Sequence, residues 1–123
     1  MNKNEATTSG TAVTGTLFLN SKPFSVLFNS GATHSFISTR SAIQLSLENR
    51  RMETNYKIKL PNNSVVECPV SYNFVPVIIG ETTFPVDLIQ FDFSDFDIIL
   101  GMNWLHTYGA KIDCEDLNVY FER

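Results

Sequence analysis

The stretch Val26-Leu27-Phe28-Asn29-Ser30-Gly31-Ala32-Thr33-His34-Ser35-Phe36-Ile37-Ser38 decides how this chain is read. An apolar run breaks at Asn29-Ser30-Gly31, a small polar triplet, and apolar residues resume at Phe36. β-Branched and aromatic residues on both sides favour strands, while glycine lets backbone approach closely in the break. A strand, a tight polar loop and a second apolar segment is an arrangement in which loop side chains can be put to chemical use.

Working outward, Gly15 to Leu19 and Phe24 to Phe28 flank Asn20-Ser21-Lys22-Pro23, which predicts a β-hairpin delivering the chain to Asn29. Past the triplet, Ser38 or Thr39 is placed to cap a short helix with Ala42, Ile43 and Leu45 on one face, ending near the polar stretch Glu48 to Glu53. Tyr56 to Leu60 and Val65 to Val70 around Pro61-Asn62-Asn63-Ser64 predict a second hairpin with its tip in solvent. A third, Val75 to Ile79 and Phe84 to Ile89, echoes the first at an offset of 60 residues, with Phe24, Val26 and Phe28 matching Phe84, Val86 and Leu88. Phe96-Asp97-Ile98-Ile99-Leu100-Gly101-Met102-Asn103-Trp104-Leu105 then repeats the theme of apolar strand, glycine and short helix, which suggests two related halves. Gly109 suits the end of that helix, and Lys111 to Cys114 with Leu117 to Phe121 predict a terminal hairpin.

Composition bounds the rest. The 123 residues suit one domain burying roughly two-thirds of its unfolded surface, with residues 1–11 expected as a flexible lead-in and 12–123 as the folded domain. A net charge of -4 with nine Lys and Arg offers no field for a nucleic-acid backbone. There is neither a run of about 18 apolar residues nor a signal-peptide pattern, so no membrane is expected and the cytoplasm is the expected compartment. Cys68 and Cys114 have no metal-ligand spacing and read as packed thiols, and no metal or cofactor is expected.

The two motifs together resemble those of the retropepsins, the homodimeric aspartic proteases of retroviruses and LTR retrotransposons, most nearly the gypsy-type enzymes. Val26 to Ser38 resembles the family's apolar-Asp-Ser/Thr-Gly-Ala loop with Asn29 in place of the aspartate, and Phe96 to Leu105 its second signature. Their order and the 70 residues between Gly31 and Gly101 also agree. The resemblance implies a mostly β, closed β-barrel acid-protease fold with one or two short helices, and a homodimer, since one chain supplies one triplet. It implies a Gag-Pol type polyprotein or peptide substrate, retrotransposon particles as a further location, and position 29 as the catalytic residue with Ser30 and Gly31 framing it. Pro61, Asn62, Asn63, Ser64 and Val65 would form a flap over substrate, with Ala32 and Ile99 as pocket walls.

Asn29 departs from that pattern in a way that matters. Two carboxylates sharing a proton activate water and protonate the leaving group, whereas an amide cannot take a proton from water near neutral pH. An inactive copy is therefore expected, with a non-catalytic domain for dimerisation or extended-peptide binding as the alternative. The isosteric exchange fits both a deliberate knockout and natural loss. Other tempting residues have plainer readings: His34 as packed or solvated, His106 as a helix end, Trp104 as core, and Asp92, Asp95 and Asp97 as a solvated face and turn.

Overall fold

The computed structural model describes residues 12–60, 62–93, 95–113, 115–116 and 118–121. The predicted lead-in, Pro61, Cys114 and Leu117 fall outside them.

The first hairpin is β1 (Ala12–Leu19) against β2 (Lys22–Asn29). Its turn has two residues where four are predicted: Asn20 and Ser21 take φ of 53° and 65°, and Lys22 and Pro23 join the strand. Left-handed conformation at both positions matches the twist of the flanking strands, which a longer right-handed turn would splay. Inward residues Phe24, Val26 and Phe28 are buried, and β2 ends at Asn29.

After the loop come β3 (Ser35–Ile37), helix α1 (Thr39–Gln44) and a 3-10 turn (Leu47–Arg50). Ser38 caps α1, its hydroxyl accepting from the Ser41 amide at 3.2 Å. Ala42 and Leu45 face the core, but Ile43 is 72% exposed, a correction to the predicted shared face. The helical rotation per residue that brings positions three apart together turns Ile43 away from both.

The second hairpin, β4 (Arg51–Lys59) with β5 (Val65–Val75), is longer than its apolar runs indicate. The third is divided. β6 (Ile78–Ile79) and β7 (Thr82–Thr83) make a small sheet around Gly80 and Glu81, while β8 (Val86–Gln90) joins the main sheet. Pro76 and Pro85 stand at the two interruptions, where a missing N–H breaks the ladder. β9 (Ile98–Leu100), α2 (Met102–Leu105), β10 (Ala110–Asp113) and β11 (Asn118–Phe121) complete the chain, with Gly109 left-handed at φ 66° after α2.

Seven strands form one sheet in the order β1-β2-β9-β3-β8-β5-β4. Among the described residues the expected closed barrel is not found: β1 and β4 are edges. β4 carries no buried residue, so it has no packed face to bring round against β1. At the centre, β2 runs parallel to β9 and β8 parallel to β3, with β3 and β9 antiparallel between them. The two halves interlock this way, so the true counterparts are β2 with β8 and β3 with β9. That correspondence keeps the 60-residue match but replaces the pairing of the Asn29 strand with β9.

Trp104, 1% exposed, anchors the core. Its indole N–H donates to the Phe84 carbonyl at 3.2 Å, and rings of Phe28, Phe84, Tyr108 and Phe121 surround it. Phe121 of the terminal hairpin stacks on Phe84 at 4.8 Å, docking β10 and β11 on the main body. Among the described residues no helix is long and apolar enough to cross a membrane.

The acidic cluster is structural, not simply solvated. Asp97 binds Ser25 twice over: its carboxylate accepts from the Ser25 amide at 2.8 Å and hydroxyl at 3.2 Å, and its own amide donates to the Ser25 carbonyl at 3.0 Å. Its carbonyl accepts from the Ser38 amide at 3.0 Å, so one residue joins β2, β9 and the start of α1. Asp92 accepts from the Thr39 amide at 2.9 Å, and that backbone bond, with a weaker one from the Thr39 side chain, holds its carboxyl below the usual range. A lowered folded pKa stabilises the protein above the unfolded value of about 3.9, and the effect disappears as pH falls through the folded value. Asp92→Ala should accordingly lower stability in urea titrations at pH 6, and the difference from the parent should shrink progressively as the titrations are repeated at acid pH, through the folded pKa of the carboxyl.

Candidate active site

Asn29 sits at the C-terminal end of β2, opposite Ala12 of β1, and one residue past the Phe28–Leu100 pairing that joins β2 to β9. Three strands thus fix where the triplet begins. Its carboxamide oxygen accepts from the Gly31 amide at 2.8 Å, and its backbone carbonyl accepts from the Ala32 amide at 3.2 Å. These bonds fold the triplet into a tight turn, with Asn29 half-buried and Ser30 and Gly31 exposed.

The second motif braces this turn from behind. Amides of Met102 and Asn103, at the start of α2, donate to the carbonyls of Ala32 (2.7 Å) and Thr33 (3.2 Å). Gly101 makes that approach possible: a Cβ there would collide with the His34 carbonyl oxygen and lie 2.7 Å from that of Ala32. The requirement is for space and not for unusual dihedrals, since φ of Gly101 is -102°.

Ser35 completes the brace, and reading the sequence alone missed it. Fully buried, its hydroxyl accepts from the Gly101 amide at 2.9 Å and donates to Asn103 Oδ1 at 2.6 Å. The signal available was a small hydroxyl residue inside the apolar segment before Ile37. Asn103 supplies the acceptor that Ser35 needs. It also makes a long 3.4 Å bond from Nδ2 to the Asp87 carbonyl, which a carboxylate could not donate.

The other candidates are distributed around this centre. Asn62, Asn63, Ser64 and Val65 are exposed at the end of the β4–β5 hairpin. Asn63 adopts φ 71°, and the Asn62 side chain accepts from the Ser64 amide at 3.0 Å, giving a compact tip without glycine. The hairpin meets the loop region through Tyr56, whose ring contacts His34 edge-on at 5.4 Å; the His34 ring also bonds the Thr33 hydroxyl at 2.9 Å. Ile99 lies mid-strand between Leu27 and Phe36, half-buried, on the face opposite Ile98 and Leu100. A hollow of about 240 Å³ runs beside the loop, lined by Ser30, Met102, Leu105, His106 and residues leading into β10. Cys68 is buried, which pushes its thiol up, and no group of potential metal ligands occurs among the described residues.

Gly101→Ala should be the most damaging small substitution near the site. Backbone carbonyls cannot move aside as side chains can, so a loss of at least about 3 kcal/mol is expected in chemical denaturation, against under about 1 kcal/mol for Gly15→Ala, whose added Cβ would meet only the Phe28 ring at 3.5 Å. Equal, small effects would show that the brace is not required.

Comparison with known proteins agrees with this geometry. The chain is similar in structure to the retroviral protease-like domain of Ddi1 from Leishmania major, at TM-score 0.72 and 17% identity over 92% of this chain and 90% of that one. It is also similar to a retropepsin-like aspartic protease from Rickettsia conorii, at TM-score 0.59 and 20% identity over 83% and 76% of the two chains. The EIAV protease complexed with the inhibitor HBY-793 gives TM-score 0.60 and 24% identity over 83% and 92%. No curated protein sequence matches the chain. The retroviral aspartyl protease family matches across residues 1–123, and with the loop, its brace and the interlocked strands in place, the chain belongs to that family.

Proposed function

We propose that this chain is the aspartic endopeptidase domain of a gypsy-type LTR retrotransposon, cutting a Gag-Pol type polyprotein as a homodimer. Position 29 of each protomer supplies one member of the catalytic pair, and Asn29 leaves this form silent. The observation that carries the reading is the Asn29 turn itself, held at the end of β2 by the amides of α2 and presenting Ser30 and Gly31 to the outside.

Peptide hydrolysis at such a pair needs one group to take a proton from water and another to give one to the departing amine. In a dimer with its two-fold axis between the triplets, position 29 occurs twice, and an aspartate there would supply both roles. Asn29 removes both carboxyls together. Its oxygen already accepts from Gly31, and its NH₂ can only donate, so no base is left to activate water. Loss of general-base catalysis costs about 10²- to 10⁴-fold.

The β4–β5 hairpin would serve as the flap, its Asn62 to Val65 tip closing on an extended peptide. Ala32 borders the turn, and Ile99 belongs to the strand beside it. No cofactor is needed for this chemistry. Nucleic acid and membrane have no part in the reading, and work within the cytoplasm or in retrotransposon particles suits the substrate. The second reading, a domain that dimerises or holds extended peptides without cutting them, is favoured by Asn29 alone.

Asn29→Asp should produce pepstatin-sensitive cleavage of an apolar peptide, rising more steeply than linearly with protein concentration because only the dimer is competent. A well-folded Asn29→Asp dimer, confirmed by sedimentation, that binds peptide without cutting it would establish the second reading instead.

A further inference from the structure

We propose that Asn29 is a site of spontaneous deamidation, and that the folded loop promotes conversion of its amide to the carboxyl that the protease chemistry lacks. The chain contains three Asn-Ser pairs, at 20–21, 29–30 and 63–64. They share the residue that most directly sets intrinsic reactivity, the one following the asparagine, so differences among them report the fold.

In the reaction, the Ser30 backbone nitrogen loses its proton to solvent base and attacks Cγ of Asn29. A five-membered imide forms, the Cγ–Nδ2 bond breaks, and the nitrogen departs as ammonia with the protons it needs. Water then opens the ring. Attack at Cγ restores the normal backbone with an aspartate side chain, and attack at the main-chain carbonyl gives isoaspartate. Atoms balance with water consumed and ammonia released, and no oxidant or other reactant enters.

Negative charge develops on Oδ1 when the nitrogen adds to Cγ. The Gly31 amide already donates to that oxygen at 2.8 Å, so the donor is in place before the charge appears, which is the arrangement by which preorganised amides accelerate acyl chemistry. Asn29 is half-buried and Ser30 and Gly31 are exposed, so the turn borders solvent that supplies base and water. Asn20 and Asn63 differ: both are held in left-handed hairpin turns, at φ 53° and 71°. The consequence for activity rests on the proposed protease function, whereas the modification itself does not.

The test is incubation of the full chain at mildly alkaline pH in heavy-oxygen water, at a protein concentration low enough to sample the single chain, followed by peptide mapping. The same incubation in urea gives the unfolded reference. In the folded chain, Asn29 should show the amide-to-acid mass gain with incorporated oxygen about tenfold faster than Asn20 or Asn63, and faster than Asn29 in urea. Conversion of Asn29 at or below its rate in urea would overturn the proposal. Pepstatin-sensitive cleavage should grow with the aspartate fraction, as judged against an isoaspartate assay, and stay absent in Asn29→Gln incubated alike. Rapid conversion without cleavage, with Asn29→Asp equally inert, would uphold the modification and reject the protease reading.

Discussion

The fold depends on one close approach of backbone to backbone. Gly101 lies against the carbonyls of Ala32 and His34, and the next two amides, Met102 and Asn103, bond to the loop that follows Asn29. Amide and carbonyl groups buried at this junction would be costly if unpaired, so each bond made here removes a penalty as well as adding an attraction. Ser35 serves the same end from the side, taking the Gly101 amide and giving its proton to Asn103. A loop that carries chemistry needs fixed atoms, and here rigidity comes from backbone contacts that no side-chain rotation can loosen.

The interlocked strands explain why this junction exists. β9 enters between β2 and β3, so the two motifs, 70 residues apart at their glycines, end side by side at one end of the sheet. Asp97 fastens the entry of β9 to Ser25, and β8 returns beside β3 in the same relation. Below them Trp104 and its ring of aromatic neighbours bury a large apolar area, supplying cohesion that strands of three residues could not supply alone.

An amide at position 29 of a well-supported loop has, under the proposed function, a physical consequence. An amide and a carboxyl are nearly the same shape, and the bond from Gly31 to Oδ1 is available to both. Under the proposed function, geometry would therefore survive the exchange while proton transfer would not. The same hydrogen bond that shapes the loop is the one through which the proposed deamidation would be promoted.

The sequence by itself determined the strand content, the two motifs and their spacing, a hydroxyl cap on α1 at Ser38 or Thr39, and the compact asparagine tip of the β4–β5 hairpin. These follow from local propensity, turn chemistry and the placement of glycine, each acting within a few residues. Tertiary structure alone decided that the sheet has open edges, that Asp97 clamps two strands, and that buried Ser35 completes the brace. Each of those depends on partners dozens of residues away: Asp97 reads as a surface acid until Ser25 lies beside it, and Ser35 as an ordinary strand residue until Gly101 does. Which atoms meet across the loop is set by the order in which strands interleave, and one chain's local pattern carries no record of that order.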